Sequence, residues 1–245
     1  MCIRDRVVST LGEVGRKADS VLVAVPVART PEVLEELAGE LGEGKILMDI
    51  ASVKEGVVST MRRVGGRLEM VSLHPLFGPG ARTLRGKIVI SVPVRGGRRY
   101  MEFRRCLISG GARVVEMGAT EHDKLMAVVQ AATHFLLLLH LATLEKSGRE
   151  WGEISTPIFT SLLELGKAVL ATNPEVYGEI QLFNRYSRRV RELLVKEGEK
   201  FARELSSGKV DRISRVFEKG LRIWGEGEIQ KAYEKLYERF ERLNT

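Results

Sequence analysis

The sequence predicts an α/β domain built on a largely parallel sheet, followed by a domain made only of helices. Three observations carry that reading. Between residues 20 and 117, short apolar runs alternate with helical patterns and Gly-rich turns, the rhythm of alternating strands and helices. Beyond about Thr120 no strand signal follows. Residues 125–144, LMAVVQAATHFLLLLHLATL, then run without a formal charge, which in a chain of this size reads as one helix buried on most sides. The expected division is 1–118 and 119–245.

The elements follow in order. SVLVAVP (20–26) is almost wholly apolar and stops at Pro26, as a strand covered on both faces should. TPEVLEELAGEL comes next, with Thr30 as N-cap and Pro31 at the first helical position, the preferred residues for those places. KILMDIAS (45–52) reads as a strand, VKEGVVSTMRRV as a helix and LEMVSLH (68–74) as a third strand. KIVISVPV (87–94), a helix around 98–109 and ARVVEMG (112–118) complete the α/β part. A long apolar helix spans 122–144 and another 157–171, and Asn173 with Pro174 caps and starts the next. Ile229, Tyr233, Leu236, Phe240 and Leu243 recur at helical spacing near the end; so short a seam predicts ordinary helix packing, not a coiled coil.

Composition narrows the function classes. With 44% hydrophobic and 29% charged residues among 245, the chain is neither fibrous, nor disordered, nor a disulfide-stapled miniprotein. A net charge of +7 favours acidic ligands. The densest basic runs, RRYMEFRR (98–105) and NRYSRRVR (184–191), fall in helical patterns, so solvated helix faces are expected and no nucleic-acid partner. Cys2 and Cys106 offer neither a disulfide framework nor metal-ligand spacing, which points to a reducing cytoplasm and no metal. Gln130, Thr133, His134 and His140 would be costly in hydrocarbon, so the uncharged stretch is assigned to a protein core and no membrane is expected.

In a parallel sheet the residues just past successive strands collect along one edge, where ligands of such folds bind. Here these are Pro26, Ser52 and His74. Neighbouring strands lie roughly 5 Å apart, so Ser52 and His74 come within hydrogen-bonding reach if their strands are adjacent. An imidazole beside a hydroxyl makes a general base with an orienting partner; a strand-terminating serine and a histidine capping backbone groups fit the same spacing. His122, Met126, Gln130 and His134 are spaced by four, a polar stripe on an apolar helix. Buried polar groups need partners, either a ligand or the core itself, and His122 reads mainly as a core residue. His140 lies roughly 240° around the helix from His134 and reads as structural. PGARTLRGK is a loop before a strand.

HPLFGPG (74–80), preceded by DIASVK (49–54) and followed by EHDKLMAVVQAATHF (121–135), resembles prephenate dehydrogenase, especially its archaeal form. VAVP (23–26) and NPEVYGEIQLFN (173–184) fall in the family's order, and the resemblance covers nearly the whole chain. It implies an incomplete Rossmann-like nucleotide-binding domain followed by a helical dimerisation domain. The implied reaction is oxidative decarboxylation of prephenate to 4-hydroxyphenylpyruvate with NAD or NADP, in tyrosine biosynthesis, by a cytoplasmic homodimer. An arogenate or other β-hydroxyacid-type dehydrogenase, or a noncatalytic helical dimer, are the alternatives.

By motif match His74 is the base or hydrogen-bond acceptor at the substrate hydroxyl, and Ser52 orients it beside the nicotinamide. Val25, Pro26, Ser52 and Val53 would line the cofactor. His134 and Gln130 would contact the substrate, and where the family has a carboxylate-binding arginine this sequence has GKAVLATNP, with Lys167 nearest. No G-x-G-x-x-G precedes Val21, so SVLVAVP corresponds to a fourth strand and VVST (7–10) to part of a third. MCIRDR then reads as an arbitrary start. The expectations are weak dinucleotide binding by this chain, an exposed edge on SVLVAVP, and poor order over residues 1–12.

Overall fold

The structure is a computed structural model and describes residues 10–64, 66–148 and 154–243. These divide into two compact units, the described residues up to 127 with 178–186, and those of 128–177 with those from 187 onward. The first holds a five-stranded sheet in the order β1-β2-β3-β4-β5, formed by Ser20–Val23, Ile46–Asp49, Glu69–Pro75, Ile88–Arg95 and Arg113–Glu116. The strands β1, β2 and β3 pair in parallel, as do β4 and β5, but β3 and β4 are antiparallel. The sheet is therefore mixed, because β4 follows β3 through a loop with no crossover helix.

Helices cover the sheet on both faces. On one side, α1 (Leu11–Lys17), α2 (Thr30–Glu40) and α3 (Glu55–Arg63) enclose a core of Val21, Val23, Leu34, Leu37, Leu47, Met61 and Met70. On the other, α4 (Arg98–Ser109) packs over Ile46, Met48, Val71, Leu73 and Val89. Alternate residues of β2 serve opposite cores, as a pleated strand requires. Tyr100 ties α4 down: its hydroxyl lies 2.9 Å from Ser91 Oγ and donates to Glu116.

Several expectations change here. SVLVAVP is not a strand covered on both faces: β1 ends at Val23, lies at the sheet edge, and leaves Leu22 45% exposed because the α4 layer does not reach it. Thr30 lies inside the first turn of α2, not at its cap, and its hydroxyl donates back to Pro26 O. Thr10 caps α1, accepting from Glu13 N at 3.2 Å, so Leu11 and Gly12 are helical and not unpartnered. Residues 1–9, including most of VVST, lie outside the described residues.

The expected single helix over 122–144 is three segments: α5 (Ala119–Met126), a π-helical stretch Ala127–Ala132, and α6 (Thr133–Lys146). Nor is it buried on most sides, since only 22% of its most apolar window is covered within the chain. By length and composition it could also cross a membrane. The second unit continues with α7 (Pro157–Leu170), α8 (Pro174–Phe183, whose last six residues belong to the sheet unit), α9 (Ser187–Ser206) and α10 (Asp211–Leu243). Asn173 caps α8 by accepting from Glu175 N. In α10 the helix breaks at Gly225, whose φ of 71° suits glycine. No strand follows Thr120 among the described residues.

Candidate active site

A buried carboxylate shapes the turn after β2. Asp49 is fully buried at the strand's end, and its Oδ1 accepts from Ala51 N at 2.8 Å and from Lys54 Nζ at 3.1 Å. The chain thus folds back over residues 50–54. Lys54 is also fully buried and donates a second bond to the carbonyl of Leu73, the residue before His74. Burial lowers the Lys54 pKa and the Asp49 charge opposes that shift; pairing is what makes such an ammonium tolerable in the interior. The two parallel strands are stapled at the edge where the candidate chemistry sits.

His74 is buried near the end of β3, in register with Ile90 of β4. Strands β2 and β3 are adjacent, yet the Nδ1 partner of His74 is His122 Nε2 at 2.8 Å, not Ser52. His122 Nδ1 in turn lies 2.8 Å from Asp123 Oδ1. Desolvation, then the Lys54 charge, then His122 push the His74 pKa well below the ordinary histidine value. The ring is held neutral.

Asp123 has a second task. The N-cap residue of α3, Lys54, offers no side-chain cap; Asp123 supplies it from α5, accepting from Lys54 N at 2.8 Å and Glu55 N at 2.9 Å. A carboxylate at that place satisfies exposed amides and complements the helix dipole. Asn184 donates to the Asp123 carbonyl at 2.7 Å, and Glu55 gathers Thr120, Arg185 and Tyr186 around its carboxylate. His122, read from the sequence mainly as a core residue, is fully buried and also completes the link from Asp123 to His74.

The other sequence-derived positions separate. Ser52 is half-buried, Val53 is buried behind it, and the Ser52 hydroxyl has no hydrogen-bond partner among the described residues. Val25 and Pro26 are exposed past β1, and the next two amides, Val27 N and Ala28 N, donate to the Glu179 carboxylate at 2.8 and 3.1 Å. In the helical unit, Gln130 Oε1 and His134 Nδ1 are buried without partners among the described residues, while the His134 ring meets Tyr177 edge-on at 4.4 Å. Burial also lowers the His134 pKa. Lys167 is exposed on α7. The π stretch interrupts the spacing by four, so His122 and Met126 belong to the sheet unit and Gln130 and His134 to the helical unit.

Sequence reasoning missed Asp49, Lys54, Asp123 and Asn184 as parts of this site. The segments DIASVK, EHDK and LFN contain all four, and a charged Asp49 inside the apolar run ILMDI, with Lys54 five residues on, was the available signal. No cluster of histidine, cysteine and acidic residues suited to a metal occurs among the described residues.

Residues 3–116 match the family profile of the prephenate dehydrogenase nucleotide-binding domain, and residues 118–219 match its dimerization domain. The chain belongs to the prephenate dehydrogenase family. A probable arogenate/prephenate dehydrogenase of Methanocaldococcus jannaschii is 31% identical over 76% of this chain and 43% of its own length. A 4-amino-4-deoxyprephenate dehydrogenase of Streptomyces pristinaespiralis is 36% identical over 68% of this chain and 57% of its own. The chain therefore spans about half the length of the curated relatives it matches. Among solved structures, prephenate dehydrogenase from Aquifex aeolicus superposes with a TM-score of 0.66 at 23% identity, over 88% of this chain and 82% of that one. Synechocystis arogenate dehydrogenase gives 0.63 at 16% identity, covering 86% and 79%. The fold of this prephenate dehydrogenase family member is a nucleotide-binding sheet domain joined to a helical domain.

Proposed function

We propose that this protein oxidises and decarboxylates prephenate to 4-hydroxyphenylpyruvate with NAD or NADP, as a cytoplasmic homodimer serving tyrosine synthesis. The observation that carries this is His74: a buried imidazole at the end of parallel-paired β2 and β3, bonded through Nδ1 to His122, with its pKa pushed down by burial. A neutral ring accepts a proton or a strong hydrogen bond from the ring hydroxyl of the substrate as negative charge develops there. Loss of carbon dioxide from the same ring then restores aromaticity.

The residues present fit the nicotinamide end of the cofactor. Val25 and Pro26 offer exposed surface past β1, and Ser52, next to the buried Val53, a hydroxyl with no partner among the described residues. When bound, the nicotinamide supplies the hydride acceptor. Ser52 would orient the reacting groups there. Gln130 and His134, whose buried polar atoms lack partners among the described residues, would contact the substrate, and Lys167 would take a carboxylate, as a point charge without the arginine fork.

Steady-state assays with prephenate and arogenate, each with NAD and NADP, test the reading. Reduction of the nicotinamide matched by release of carbon dioxide is expected with prephenate; no reduction with prephenate and either cofactor would sink it, and reduction with arogenate alone would reassign the substrate. His74→Asn should lower turnover by roughly two to four orders of magnitude, the usual scale for a general base, while leaving KM much less affected.

A further inference from the structure

We propose that Asp123, acting through His122, sets the tautomer of His74 and leaves its lone pair on Nε2. This rests on His74 being the base of the proposed reaction. The argument is one of donors and acceptors. Lys54 N–H and Glu55 N–H can only donate, so the two Asp123 oxygens they meet at 2.8 and 2.9 Å are acceptors. Nδ1 of His122, 2.8 Å from Asp123 Oδ1, therefore carries the proton of that contact. While His122 carries that single proton its Nε2 is bare, and His74 Nδ1, 2.8 Å away, donates to it. The remaining nitrogen of His74, Nε2, keeps the lone pair.

The arrangement acts at the moment of proton transfer. When the substrate hydroxyl gives its proton to His74 Nε2, the O–H bond breaks, the N–H bond forms, and the ring becomes an imidazolium with a proton on each nitrogen. The buried Lys54 ammonium opposes that charge. The Nδ1–H to His122 and the Nδ1–H of His122 to Asp123 connect it to a buried carboxylate, which offsets the opposition. Asp123 and His122 touch no substrate in this scheme; they are positioning residues.

The test reads tautomers directly. Nitrogen-15 NMR of the histidine side chains in the purified protein, without substrate, should show His74 and His122 both as Nδ1–H tautomers. His74 found as the Nε2–H form would overturn the proposal whatever the activity. Asp123→Asn can turn an amide N–H toward His122 and reverse the chain; His74 should then shift to Nε2–H and kcat fall roughly 10²- to 10⁴-fold with KM within about threefold. His122→Gln retains an acceptor for His74 Nδ1–H and should keep more turnover than His122→Phe; equal losses in two folded variants would count against the link. Should the variants not fold, the wild-type spectrum still decides. If His74 is the Nδ1–H tautomer but no substrate is oxidised, the proposed reaction fails and the lock stands.

Discussion

His74 owes its chemistry to burial and to Lys54, and both leave a signature in pH. Its pKa lies below the unfolded value of about 6.5. In the interval between the two values the unfolded chain binds more protons than the folded one, so stability rises with pH there. Acidification below about 6.5 therefore costs stability, and the acid limb of kcat/KM belongs below that value too. A pH-rate profile whose acid limb sits at or above 6.5 would contradict the neutral environment of the ring. Lys54 allows a second prediction. Lys54→Met leaves Asp49 buried without its counter-charge, so unfolding in urea should show a loss of about 3–5 kcal/mol.

At the scale of elements, close backbone approach decides where substitutions are tolerated. Gly15 of α1 packs on the end of α2: a Cβ there would lie 2.6 Å from Glu40 Cβ and 3.1 Å from its backbone carbon. Backbone cannot rotate away. Gly15→Ala should thus destabilise by about 1–3 kcal/mol despite the better helix propensity of alanine, and an unchanged denaturation midpoint would refute the contact. The strands themselves were legible as apolar runs, because burial demands such residues whatever the topology. Strand direction was not, because period-two burial is the same read either way along β4. The π stretch also left no trace: AVVQAA suits an α-helix equally well. Ser52 and His74 could be placed at one sheet edge from strand ends alone. His122 as the Nδ1 partner of His74 could not, since that depends on how α5 packs beside β3, 48 residues further along the chain.

At the scale of the whole molecule, the exposed apolar face of the central helix needs a cover. Val128 and Val129 of the π stretch and Leu136 and Leu139 of α6 are 57%, 54%, 52% and 50% exposed in the single chain, and large apolar side chains left open to this extent along one helix mark an interaction site. The region falls within the match to a dimerization domain. A second copy is the partner that match favours, and an isologous pairing would bury each residue twice. Fully burying a leucine side chain is worth about 1.5–3 kcal/mol and these are already half covered, so Leu136→Asp together with Leu139→Asp should weaken the dimer by about a hundredfold or more. Sedimentation equilibrium at micromolar concentration is the measurement: dimer for the parent protein, monomer for the double variant. A parent protein that sediments as a monomer, or that leaves the membrane fraction only in detergent, would assign this face to something other than a second copy.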